Sequence, residues 1–247
     1  MIFPEPIFPE PIVGTIVECA HWADRIIRAE LIEGLIAGEN DYTSNFIGAL
    51  RREINSRAVP NLTAKVFVLK PGAEQKVGAD ACIILASSNQ FKVCVFESKW
   101  PRLNSHSNYW DSVQKSPKHS HFHDQLCRQA GMSGTVAIWE MFYCEYPYRK
   151  QPKFFPDMGS ACVWHGPAHS ATMARPDPSV PWTDLELEAL LKANALSISD
   201  VMQEVCECRQ GEIFQGSDYL RPFLDYGIPS HSLIVSYNGA NERETYS

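Results

Sequence analysis

The sequence predicts an α/β fold, on three observations. Two stretches whose apolar residues recur at three- and four-residue steps come first. Three short apolar runs separated by polar turns follow. A further helical stretch and a fourth strand-like run then complete the order helix, three strands, helix, strand by about residue 143.

Each element has a local reason. Ile2-Phe3-Pro4-Glu5-Pro6 is written again as Ile7-Phe8-Pro9-Glu10-Pro11, and prolines at this density favour an extended arm. From about Ile12 to Ala37, Ile16, Cys19, Ala20, Ala23, Ile26, Ile27, Leu31 and Leu35 make a helical stripe, with Gly38 as its stop. The segment Glu39–Ser44 offers caps for a second helix, with Phe46, Ile47, Leu50 and Ile54 on one face. Strands are expected at Thr63–Lys70, Val77–Ala86 and Phe91–Glu97, broken by Pro71-Gly72 and by Ser87–Gln90. Turns this short predict an antiparallel meander. A helix over Trp110–Ala130, interrupted near Pro117, and a strand over Thr135–Tyr143 come next.

Residues 144–182 read as loops with one short strand at Ala161–Trp164. Thr183-Asp184-Leu185-Glu186 is a capping box opening a helix to about Ala195, and Ser197–Arg209 starts another, with Ser197 or Ser199 as its cap and Gly211 at its end. Tyr219–Leu224 and a strand-like Ser232–Tyr237 follow, and the last nine residues are polar. A single domain over 1–247 is expected, with a core at about 12–143 and a C-terminal helical and loop extension over about 144–247.

Composition narrows the function. The chain has 247 residues, 45% of them hydrophobic, and no apolar run long enough for a membrane span or a secretory leader, so a cytoplasmic protein is expected. None of the eight cysteines forms a CxxC pair, which argues against a disulfide framework or a zinc ribbon. The formal charge is -7, but residues 51–153 carry 15 basic and 8 acidic residues between two acidic ends. A basic middle can bind phosphates within an acidic total, and the plain alternative is a solvated surface.

One constellation carries chemistry. Asp80 opens an apolar strand, and Glu97-Ser98-Lys99 closes the next. Side chains alternate along a strand, so Glu97 and Lys99 share a face, and the hairpin between the strands returns Glu97 beside Asp80. Asp80 and Glu97, with the carbonyl of Ser98, would supply oxygen ligands for Mg²⁺, with Mn²⁺ as a substitute. Lys99 would orient a water and stabilise charge on a phosphate. The alternative is a rim of weak ion pairs at strand ends.

Asp80, Glu97-Ser98-Lys99 and the element order together resemble the PD-(D/E)XK nuclease superfamily, the restriction-endonuclease-like fold. Ala79 stands where the motif's name has proline. The resemblance covers about residues 12–143. It implies a central mixed sheet flanked by helices and a Mg²⁺-dependent endonuclease acting on DNA in restriction, defence or repair. It also implies a helper acid on the first core helix, for which Glu39 is the choice over Asp41 and Glu53. On the helix after the Glu-x-Lys strand it implies a glutamine or basic residue, and Gln125, Arg128 and Gln129 fit that place.

Lys115, Lys118 and Arg128, interleaved with Trp100, Tyr109, Trp110 and Phe122, could hold a nucleic-acid strand or could simply cover core aromatics. His119, His121 and His123 alternate and would share a face in a strand but splay at a helix start, which is the expected conformation. They carry a rival reading, a histidine-centred metal enzyme. The other rival is a non-catalytic module of the same fold that binds nucleic acid or protein. The acidic C-terminal region is the candidate surface for a homo-oligomer or partner subunit.

Overall fold

A computed structural model describes residues 4–68, 78–106, 108–116, 118–229 and 231–239. The chain forms a seven-stranded mixed sheet with helices on both faces. Helices α1 (Glu10–Ile32) and α2 (Glu39–Ser56) precede strands β1 (Leu62–Val68), β2 (Ala81–Ala86) and β3 (Gln90–Lys99). Then come α3 (His121–Gln129), β4 (Ala137–Phe142), β5 (Ala161–Trp164), α4 (His165–Met173), α5 (Asp184–Asn194), α6 (Ile198–Cys206), β6 (Ile213–Gln215) and β7 (His231–Tyr237). No described helix is long and apolar enough to cross a membrane.

The sheet order is β1-β7-β2-β3-β4-β5, with β6 beside the start of β3. The hairpin β2–β3 is antiparallel, as the turn predicts. The three-strand meander is not formed: β7 lies between β1 and β2, antiparallel to the first and parallel to the second. Non-local pairing of this kind leaves no local mark in the sequence. The C-terminal strand thus sits inside the sheet. Strands β3 and β4 are parallel, joined through α3, in the register Glu97↔Glu140.

Alternation sorts the side chains. Ala81, Ile83 and Leu85 of β2, Cys94 and Phe96 of β3, and Trp139 and Met141 of β4 face α1, α2 and α6 in one continuous apolar core. The other face is divided. Val93, Val95 and Ile138 join one small cluster, and Phe142, Ala161 and Val163 join another with Phe122, Leu126 and Trp182. Between these two clusters lies a buried polar layer, which is the site described below.

Several boundaries differ from expectation. Helix α1 ends at Ile32, and Gly34, at φ +78°, turns the chain where only glycine is unstrained. Gly38, expected as a stop, is the residue before α2, and Glu39 to Ser44 lie inside that helix rather than capping it. The long helix over 110–130 forms only from His121. Before it, the Asp111 carboxylate accepts from Ser120, Phe122 N and Trp182 N and fixes a loop instead. His165–Met173, expected as a loop, is helix α4, because Pro167 falls in its first turn where no amide donor is needed. Strand β6 was not expected. The capping box expected at Thr183 is formed, and of the two candidate caps for the next helix it is Ser197, in a capping box with Asp200. Ile7 and Phe8 of the N-terminal arm are buried, Phe8 edge-on to Tyr237. The expected strand ends at Lys70 and Val77, the Pro71-Gly72 break, Pro117 and residues 240–247 lie outside the described residues.

Candidate functional site

The site lies where β3 ends beside the start of β2. The Asp80 amide bonds the Phe96 carbonyl at 3.0 Å, and Ser98 N donates to Asp80 Oδ2 at 2.9 Å. The carbonyl of Ser98, two residues on from that of Phe96, points to the same edge. The Ser98 hydroxyl is on the opposite face, where it accepts from Thr43 at 2.7 Å. Lys99 Nζ donates to Glu97 Oε1 at 2.8 Å, and both side chains are buried. Glu39, in the first turn of α2, accepts from Trp100 N at 2.8 Å through Oε1. Residues far apart in the sequence thus meet at one strand end. Asp41 instead accepts from Ala37 N, and Glu53 lies near the other end of α2, close to Cys19, so Glu39 is the acid that reaches the site.

Helix α3 covers this group from the sheet's second face. Gln125 Nε2 donates to Glu97 Oε1, the same oxygen that accepts from Lys99. Gln129 donates to the Gly78 carbonyl at 2.6 Å and lies 3.0 Å from His165 Nδ1 through Oε1. Both glutamines are buried and engaged with protein, so they support the site from beneath rather than reach out to a strand of nucleic acid. Arg128 is half-buried against Gly78, and Lys115 and Lys118 are exposed in the loop before α3.

Sequence reasoning missed three residues. Glu140 is 0% exposed and stands beside Glu97 across the β3–β4 pair. Among the described residues neither of its carboxylate oxygens has a hydrogen-bond partner; Gln129 is near enough to ease its charge but gives its amide to Gly78. Its signal was present, as a lone charge in the apolar run Ala137–Phe142. The buried Tyr143 hydroxyl lacks a described partner and faces the charges of Glu39 and Asp80. His165 lies beneath Gln129.

Electrostatics follow from this packing. Burial pushes Glu97 up to about 8, against the pull of Lys99 and with added repulsion from Asp80 and Glu39. Burial likewise pushes Glu140 up to about 8. Burial alone would lower Lys99, but Glu97, Glu39, Asp80 and Glu140 together hold it above its ordinary value as an ammonium. Four carboxyl groups thus crowd around one cation, and burial favours the neutral form of two of them. Asp80, Glu97, Glu39 and the Ser98 carbonyl offer oxygen donors alone, but the carboxylates do not gather within 4.8 Å of one another as the donors of His119, His123 and Asp124 do.

An open cleft of about 480 Å³ leads to the group, lined by Glu39, Lys99, Trp100, Arg102, Trp110 and His121 among others. The Arg102 guanidinium lies over the Trp100 ring at 4.2 Å, so a cation and an aromatic plane sit together at its wall. The three alternating histidines separate. His121 turns to this cleft near Lys99, while His119 and His123 gather with Asp124 on another side of α3. The helix start is the cause, since Ser120 caps α3 by accepting from His123 N.

Compared with family models, with curated proteins and with solved structures, the chain gives no match.

Proposed function

We propose that this chain is a divalent-metal-dependent nuclease of the PD-(D/E)XK type that hydrolyses phosphodiester bonds in DNA. The observation that carries the reading is the meeting of Asp80, Glu97 and Lys99 at one strand end, with Glu39 brought to them by α2. The β3–α3–β4 unit, parallel in its strands, supports the restriction-endonuclease-like reading of the sheet.

Asp80, Glu97, the Ser98 carbonyl and Glu39 would hold Mg²⁺ or Mn²⁺. When bound, that ion supplies Lewis-acid charge at the phosphate and a water of lowered pKa. Lys99, kept as an ammonium by its carboxylate neighbours, donates an N–H hydrogen bond to the attacking water or to a phosphate oxygen. Gln125 fixes the rotamer of Glu97. Trp100 and Arg102 offer a stacking plane and a phosphate partner at the cleft wall. The histidine-centred enzyme is not favoured, because His121 stands apart from the other two histidines.

The test is cleavage of plasmid and single-stranded DNA in Mg²⁺ or Mn²⁺ against chelator. Lys99→Ala and Asp80→Ala should each lower the rate by roughly 10²-fold or more. Cutting that survives both substitutions refutes these roles. Metal-independent DNA binding without cutting, untouched by Lys99→Ala, would make the chain a binding module.

A further inference from the structure

The geometry points to a second metal site, for zinc or a similar transition ion, on the outer side of α3 at His119, His123 and Asp124. Each residue offers one ligand atom, and these atoms lie within 4.8 Å of one another. The local fold makes the cluster. Lys118, at φ +71°, turns the chain so that His119 stands just before the Ser120 cap. His123 and Asp124 then fall in the first turns of the helix. His119 Nδ1 is 2.9 Å from Asp124 Oδ1, and the rings of His119 and His123 meet edge to face with centroids 5.7 Å apart.

A further donor borders His123, although it does not lie within 4.8 Å of all three ligand atoms. Cys127 is one helical turn beyond His123, exposed, with Sγ 3.6 Å from His123 Nε2. With Zn–N near 2.0 Å and Zn–S near 2.3 Å, two tetrahedral ligands stand about 3.6 Å apart, so this pair has the separation of two zinc ligands. Thr172 Oγ1, from α4, lies 3.4 Å from His123 Nδ1 and can orient the ring. Imidazole and thiolate select zinc-like ions, whereas the all-oxygen group at Glu97 selects Mg²⁺. The two sites are therefore chemically distinct.

An ion here would clip the loop before α3 to the helix itself. The inner side of the same helix holds Gln125 on Glu97, so the clip would fix a support of the cleft without touching substrate. The inference stands whether or not the cleft is a nuclease site.

The experiment uses the full chain without an affinity tag, stripped with chelator and titrated with Zn²⁺ against a chromophoric chelator, with elemental analysis of the product. The expected result is one zinc per chain and a raised Tm. His123→Ala and the double variant His119→Ala/His123→Ala should weaken zinc binding by roughly 100-fold, whereas His121→Ala and Glu97→Gln should keep it. Co²⁺ substitution reads the ligands directly, and Cys127→Ser should alter its visible spectrum while leaving the helix content unchanged by circular dichroism. Asp124→Asn, a nearly isosteric change, covers the case in which a histidine variant fails to fold; it should weaken zinc about tenfold. A stripped wild type that takes up no zinc at micromolar concentration overturns the proposal, as does zinc retained by the double variant.

Discussion

Two buried acids, Asp24 and Glu140, show how differently one chain treats the same charge. Asp24 is 1% exposed and sits among donors. Its Oδ1 accepts from Tyr42 at 2.7 Å and from the Ser160 hydroxyl at 2.6 Å, and its Oδ2 accepts from Ser160 N at 2.7 Å. Glu140 is equally buried and has no hydrogen-bond partner among the described residues. A satisfied buried carboxylate ties α1, α2 and the approach to β5 together, which is architecture. An unsatisfied one costs stability, and such a cost is ordinarily retained at functional positions. The two regions touch, because Tyr42 of the first stacks on Tyr143 of the second with ring centroids 3.9 Å apart.

The sharpest way to break this contrast is to delete each acid. Asp24→Ala strands the donors of Tyr42 and Ser160 and should cost about 3 kcal/mol, a fall in Tm of roughly 10 °C for a chain of this length. An unchanged Tm would mean that the Asp24 knot does not hold these elements together. Glu140→Gln should do the reverse in chelator, raising stability at pH 8 by about 1–2 kcal/mol, because a buried carboxylate no longer has to ionise.

The pH dependence separates the same two behaviours by sign. Glu97 and Glu140, at about 8 when folded against an ordinary 4.5, hold their protons more tightly in the folded chain. Stability therefore falls as pH rises through that interval. His165, lowered by burial to about 4 from an ordinary 6.5, acts oppositely and loses stability as pH falls between those values. Between pH 6.5 and 8 the carboxylates act and His165 does not, so their contribution to stability in chelator should decline there by about 2 kcal/mol, read as a falling Tm. Glu140→Gln should shrink the decline, and Mg²⁺ should offset it. A flat profile in chelator would show that these acids are not held neutral.

The part of the site that was legible in the sequence is the part that strand geometry alone determines. Asp80, Glu97 and Lys99 needed only alternation and a tight hairpin, and both rules are local. Glu39 needed more: its position at the head of α2 was readable, but its bond to Trp100 N depends on how that helix lies over β3. Glu140 carried the same mark as Glu97, a charge in an apolar strand. Its meaning required knowing that β4 lies parallel to β3 in the register Glu97↔Glu140. The place of β7 between β1 and β2 was not readable for the same reason, since it joins segments over a hundred residues apart. The capping box at Thr183 was readable because a cap is a contact of three residues' span. The expected helix over 110–120 fails because Asp111 binds groups remote in sequence, which no periodicity reports.

The smallest expected effect tests whether α3 belongs to the site or merely covers it. Gly78 has φ +67°, and its carbonyl holds Gln129. A Cβ there would stand 3.2 Å from the Gln125 carbonyl and 3.4 Å from Arg128 Cβ, so the helix that places Gln125 on Glu97 would have to move. Gly78→Ala should cost about 1–2 kcal/mol through the left-handed backbone and this close approach. Gly134→Ala, with nothing within 4 Å of its Cβ and no left-handed backbone, is the control and should stay within about 0.5 kcal/mol of the wild type. If α3 positions Glu97, cleavage by Gly78→Ala should fall by more than its lost stability accounts for, measured well below its Tm. If the rate keeps pace with the folded fraction alone, α3 is a cover and the carboxylates are placed by the sheet.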